Sequence, residues 1–355
     1  MLGTQTRLAF VIALLLGAPL LCGCKKKTVT SARLESPSER EALIREAFAR
    51  EPATQVEPSV ERFFVDFARA VREEGGEVSD FVDVAAMGRN MEKLGLIDTS
   101  VRMRMEHPRS RRQIAQRVFA SPEAHWHTHE IRQTLTLASD ESASGARVAK
   151  EIVVMAIHRH VEDGRRLMRW WLIRSEMGTW RVYDFEYIND GVRYSQHLAL
   201  ALMAGKSKEP WLEHAARLNR ELVPALSAMD LEAARKAVEK IDASLLPTIW
   251  RRQFLNYKAT LELSEMNFEG SLATVRSARE VDPGLGETMT SLTIEMTALS
   301  LLERYEESIA VAQRGIDLYG PDEDVLSAMG EAQLRLDKPE EAASAEPVNV
   351  NETKV

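Results

Sequence analysis

Cysteine is nearly absent. The 355 residues hold two, Cys22 and Cys24, and no thiol follows position 24. Residues 25–355 therefore have no disulfide, no thiolate metal site and no cysteine nucleophile, and must fold on an apolar core alone. No run here crosses a bilayer comfortably either. The 14 residues from Leu8 to Leu21 are apolar, but that is short of the ~20 that a spanning helix needs, and Pro19 interrupts them. Positive charge is not in excess. A net charge of −8 argues against a nucleic-acid partner, and none is expected. Nucleophile-elbow, phosphate-loop and zinc-protease motifs are also missing, so no catalytic residue, resident metal or cofactor is expected.

What is present starts at the amino terminus. Arg7 precedes the apolar run, and Leu21-Cys22-Gly23-Cys24 closes it. A basic residue, a short apolar region and small residues before a cysteine match a secretory leader. The tetrad resembles the lipobox of bacterial lipoproteins. That resemblance implies a signal peptide over 1–23, cleavage before Cys24 and a covalent lipid on Cys24. Two or three acyl chains hold firmly, at roughly 0.8 kcal/mol per buried methylene. Lys25, Lys26 and Lys27 then form a spacer, or touch anionic headgroups. Aspartate is missing just after the cysteine. By the enteric sorting rule, this implies the outer membrane, facing the periplasm. Residues 24–58 read as a tether. One short helix runs in it from Ser36-Pro37-Ser38-Glu39 to about Arg50.

Over 59–203 the pattern is α+β. Phe63, Phe64, Phe67 and Val71 recur at helical spacing. Further helical segments cover Val78 to Leu94 and Arg109 to Phe119. The period then falls to two: Ile131, Leu135 and Leu137 alternate with Arg132, Thr134 and Thr136. Three more strands follow, Val148 to Val161, Arg166 to Arg174 and Trp180 to Ile188. Their hairpins fall at Asp140 to Gly145, Glu162 to Gly164 and Met177-Gly178. Helices followed by a four-stranded antiparallel meander predict helices packed on a sheet, with a last helix over Gly191 to Met203. The closing strand Gly178-Thr179-Trp180-Arg181-Val182-Tyr183-Asp184 resembles that of the nuclear transport factor 2-like (SnoaL-type, cystatin-like) cone. Together with Asp190-Gly191-Val192 it also resembles the toluene-tolerance/Mla phospholipid carriers. These resemblances imply a cone that packs shut, binds a lipid or small molecule, or houses an enzyme cavity.

After a linker over 204–210, residues 211–345 are helical and periodic. Leu231-Glu232-Ala233-Ala234, Phe268-Glu269-Gly270-Ser271, Tyr305-Glu306-Glu307-Ser308 and Pro339-Glu340-Glu341-Ala342 stand 37, 37 and 34 residues apart. Pro247, Pro283 and Pro321 fall between helix pairs. The pattern resembles a tetratricopeptide array. The resemblance implies that the first helix of each pair lines a concave surface. Gln253, Asn256, Thr260, Thr290, Thr293 and Thr297 then face an extended, neutral peptide. Residues 346–355 read as a disordered tail.

Other clusters deserve weighing. A hairpin centred near Ala143 puts residue 129 opposite about 158, so His127, His129, His158 and His160 form a possible metal set. The plainer reading is a polar sheet edge. Arg109, Arg111 and Arg112 lie in a run from Arg102 to Arg117 opposed only by Glu106. They read either as a solvated helix face or as a site for phosphate headgroups or an acidic partner. Tyr183, Phe185 and Tyr187 share parity, as do Trp180, Val182 and Asp184. The overall expectation is a non-catalytic envelope lipoprotein that recruits an unknown protein partner. The alternatives are a carrier of lipid or small molecules and a cavity enzyme.

Overall fold

The computed structural model describes residues 57–72, 78–119, 126, 128–141, 147–160, 164–189, 191–203, 209–281 and 287–336. The expected leader, Cys24, the tether, the fourth quartet and the tail lie outside them. No described helix is long and apolar enough to cross a membrane. The chain divides into two compact units, with described residues 57–212 and 213–336.

The first unit is α+β. Helix α1 (Pro58–Arg72) buries Val60, Phe63, Phe64, Phe67 and Val71 on one face. The segment expected as one helix over Val78 to Leu94 is two pieces, a 3-10 turn (Val78–Phe81) and α2 (Val84–Lys93). Asp83 separates them. Its carboxylate caps α2 by accepting from Ala86 N at 2.8 Å, and its own N–H joins Val182 O. Helices α3 (Thr99–Glu106) and α4 (Pro108–Phe119) meet at His107, where Pro108 opens the second.

The sheet is an antiparallel meander with one strand more than expected: β1 (Thr128–Glu141), β2 (Arg147–His160), β3 (Gly164–Arg174), β4 (Trp180–Tyr187) and β5 (Val192–Arg193). β5 takes the first residues of the segment read as one helix, and α5 (Tyr194–Met203) follows it. Between α1 and the sheet lies an aromatic core. Phe64, Phe67, Trp126, His158 and Trp170 are each at most 1% exposed, with ring centroids 4.3 to 5.9 Å apart. Trp180 ties the last long strand to α1 through Nε1, which donates to Ser59 Oγ at 2.8 Å.

The second unit is wholly helical among its described residues. Helix α6 (Pro210–Arg217), in which the second unit begins at Glu213, runs through a π segment (Leu218–Leu222) into α7 (Val223–Ser227). Pro224 has no N–H to give the ladder, and the wider turn just before it absorbs that loss. Helices α8 (Leu231–Glu239), α9 (Thr248–Ser264), α10 (Phe268–Val281), α11 (Met289–Leu301), α12 (Tyr305–Tyr319) and α13 (Glu323–Arg335) follow. The first three aligned quartets open α8, α10 and α12.

The turn before each of those helices is the same. Met229, Met266 and Glu303 have φ of 57°, 60° and 61°, a left-handed backbone that L residues seldom adopt. Each donates its N–H three residues back, and the next N–H donates five back: Asp230 to Ala225 O, Asn267 to Glu262 O, Arg304 to Leu299 O. One small residue recurs at each helix contact. Ala234, Ser271 and Ser308 are at most 1% exposed. Ser271 Oγ donates to Ala259 O at 2.8 Å, and Ser308 Oγ donates to Met296 O at 3.1 Å. Identical turns and contacts at one spacing make this unit a stack of repeated helix pairs. Helix α11 touches both α9 and α13, so the first helices of successive pairs form a row.

Candidate functional site

That row carries the six residues expected to bind. Gln253, Asn256 and Thr260 lie on α9, one turn apart on one face; Thr290, Thr293 and Thr297 occupy the same steps of α11. Their environment differs from the open, solvated surface expected. Gln253, Asn256, Thr260 and Thr290 are buried, and Thr293 and Thr297 are half-buried. Neighbouring first helices approach closely because the row is built from short side chains.

Three of the threonines satisfy themselves. Thr260, Thr293 and Thr297 donate from Oγ1 to the carbonyls of Asn256, Met289 and Thr293, each four residues back, at 2.8 to 3.0 Å. The other three positions are not satisfied. Gln253 Oε1, Asn256 Oδ1 and Thr290 Oγ1 are buried with no hydrogen-bond partner. Gln253 engages only its amide nitrogen, donating to the Tyr257 hydroxyl at 3.4 Å. An unmet buried polar atom costs about 1–3 kcal/mol. Gln253 and Thr290 are equivalent positions in successive pairs, so the same unmet acceptor repeats along the row.

Two ionic networks escaped sequence reasoning. In the helical unit, Glu295 is 2% exposed. Arg276 Nε reaches it at 2.9 Å and Arg314 Nη2 at 3.0 Å, and Arg279 completes the set. Burial pushes its carboxyl up, but the three guanidiniums outweigh burial and hold it below the usual range. This network joins α10, α11 and α12.

In the α+β unit, Arg169 and Glu186 pair at 3.3 Å with each at most 2% exposed. They face each other across β3 and β4. Nearby, the Asp184 carboxylate accepts from Phe185 N at 3.0 Å, Ser195 N at 3.1 Å and Ser195 Oγ at 2.7 Å. Arg193 stands 3.6 Å from it and stacks over Trp171 at 3.8 Å. Parity with Trp180 and Val182 misplaces Asp184. A register shift between Trp171 and Leu172 inserts Tyr183 as an extra residue, so Asp184 pairs with Trp171 while Val182 pairs with Leu172. Val182 and Asp184 therefore sit on opposite faces. Tyr183 leaves the row of Phe185 and Tyr187, and its hydroxyl donates to Glu151 at 2.6 Å.

Burial pushes the Asp184 carboxyl up to about 6, against the pull of Arg193 and its three donors. An acid with a raised native pKa keeps its proton in the fold after the unfolded chain has lost it. Its contribution is present below about pH 4 and is lost as pH rises through 6. Chemical denaturation of wild type and Asp184→Asn should show this. The wild-type advantage falls between pH 4 and 7 by up to about 3 kcal/mol. A difference that stays level or rises with pH would exclude a raised native pKa.

The described histidines of the candidate set are engaged elsewhere. His129 does pair with His158 in the β1–β2 ladder, as the hairpin spacing implies. But His158 Nε2 accepts from Trp170 Nε1 at 2.8 Å, which occupies its lone pair, and His129 lies 3.2 Å from Glu61. His127 lies outside the described residues, as does the side chain of His160. Among the described residues, no group of three or more His, Cys, Asp and Glu is placed to hold a metal. Arg109, Arg111 and Arg112 are exposed on α4.

No family model matches this chain, and no curated protein or solved structure matches it significantly.

Proposed function

We propose that this protein is an envelope lipoprotein, anchored through a lipid on Cys24, that works as a non-catalytic adaptor. Its tetratricopeptide-like array recruits a partner by taking up an extended segment of it along the row of first helices. One observation carries this reading: Gln253 Oε1, Asn256 Oδ1 and Thr290 Oγ1 are buried, share a face and have no hydrogen-bond partner. Half-buried Thr293 and Thr297 offer hydroxyl lone pairs to the main-chain N–H groups of an extended peptide without requiring any particular sequence, and a small separation of α9 and α11 would bring the enclosed acceptors to it as well. The short neutral side chains of the row leave the selectivity to shape.

The carrier and cavity-enzyme readings receive less support. Both need an interior in the α+β unit, and Trp126, Trp170, His158 and Phe64 occupy the space between α1 and the sheet. Asp184 is committed to Ser195, Arg193 and Phe185, which leaves it poorly suited to proton transfer on a substrate.

A photo-crosslinking side chain at Thr293 or Thr297 tests the adaptor reading in intact cells. Both positions should yield one and the same protein adduct. Exposed Ser277, on the second helix of a pair, should yield none. Equal adducts at Ser277, or none at the row, would refute the proposal.

A further inference from the structure

Residues 83–116 carry four acids, and each is engaged. Asp83 and Asp98 cap α2 and α3. Glu92 and Glu106 both pair with Arg102, at 2.6 and 2.7 Å. The remaining cations of the segment, Arg89, Lys93, Arg104, Arg109, Arg111 and Arg112, are exposed, and none forms an ion pair at contact distance among the described residues, although Arg104 attracts the Asp98 carboxylate from further off. Four of them fall within nine residues, around the corner at His107 where α3 passes into α4. Beside Arg104, Met103 is 63% exposed.

This arrangement disfavours the isolated fold. Arg109, Arg111 and Arg112 crowd the start of α4, where the helix dipole is positive and no acid stands in the first turn. A cation at that end is disfavoured by the dipole. Mutual repulsion adds to it. An anionic partner removes both penalties.

We infer that the α3–α4 corner is a docking surface for an anionic lipid bilayer, with Arg104, Arg109, Arg111 and Arg112 among the phosphate headgroups and Met103 set between them. Guanidinium forks match phosphate oxygens, and a nearby apolar side chain suits the headgroup boundary better than a free anion or an acidic protein. The proposal takes its location from the anchoring reading. The chain from Cys24 to the first described residue spans at most about 120 Å, so it holds the corner within reach of the membrane. With the acyl anchor, this contact makes a second membrane attachment and sets which side of the α+β unit faces the bilayer.

The test uses residues 25–355 without lipid, so its outcome does not depend on whether Cys24 is acylated. The protein is sedimented with vesicles of phosphatidylcholine alone or of phosphatidylcholine mixed with phosphatidylglycerol. It should bind only the mixed vesicles and leave them at high salt. Replacing Arg109, Arg111 and Arg112 together by Ser should weaken that binding on the order of a hundredfold, at about one kcal/mol per arginine. The variant's thermal midpoint should be unchanged or higher. Met103→Ser should give a smaller loss that salt does not mimic. Equal binding to both vesicle types, no binding to the mixed vesicles, or a triple variant that binds as tightly as wild type would overturn the inference.

Discussion

Arg169→Met should destabilise the α+β unit by about 3–5 kcal/mol, because it strips a buried carboxylate of its guanidinium. Glu186 is 1% exposed and Arg169 2% exposed, so water cannot replace the lost partner. Desolvating two charges is costly, and their attraction offsets much of that cost; removing one charge keeps the cost of the other and loses this part of the offset. The double variant Arg169→Met/Glu186→Leu should therefore recover at least half of the loss, although it deletes more polar groups. Urea denaturation followed through the tryptophans of this unit reads the effect. A double variant no more stable than the single would show that the pair contributes favourably in itself and not only by mutual neutralisation. A single variant within about 1 kcal/mol of wild type would show that the site admits water.

Ser271→Leu should weaken the helical unit by about 1.5–4.5 kcal/mol. Ser271 is fully buried where α10 meets α9, and its Oγ donates across that contact to Ala259 O. Leucine forces the helices apart, at about 1–3 kcal/mol, and removes the second hydrogen bond that the helical carbonyl of Ala259 accepts, at about 0.5–1.5 kcal/mol. Ser308→Leu should behave alike, since it holds the equivalent place against Met296. Ser277→Leu, on the exposed face of α10, should change stability by less than about 0.5 kcal/mol. Repeats contact mainly their neighbours, so the loss should appear in the melting of the helical unit. Tolerance of leucine at both 271 and 308 would mean that the helix pairs do not pack as a repeated unit.

The positions of these serines were legible in the sequence. The quartets spaced by 37 residues mark the starts of α8, α10 and α12, and the last member of each is the small residue at the contact. The strand order, hairpin positions and the His129–His158 pairing were also legible, because apolar period and turn residues are local signals, whereas the short helix over Thr99–Glu106 was not expected. The left-handed turns were not, since Met229, Met266 and Glu303 stand where glycine would have advertised them. Nor was the direction of Asp184. A one-residue bulge at Tyr183 reverses parity, and nothing local marks it. The networks at Arg169–Glu186 and Glu295 join residues 16 or more positions apart, so no sequence window contains them. The row was legible by position but not by environment. Its residue types suggested a solvated lining, while the close approach of α9 and α11 encloses them.

An adaptor held at the membrane makes a simple demand on the protein taken directly from cells. Native mass spectrometry of the detergent-extracted chain should show a mass beginning at Cys24 with attached acyl chains, and a second polypeptide bound to it. Asn256→Leu combined with Thr290→Val should keep the acylated mass and lose the polypeptide. A chain that carries phospholipid and no polypeptide, or a bound polypeptide indifferent to both substitutions, would contradict the account.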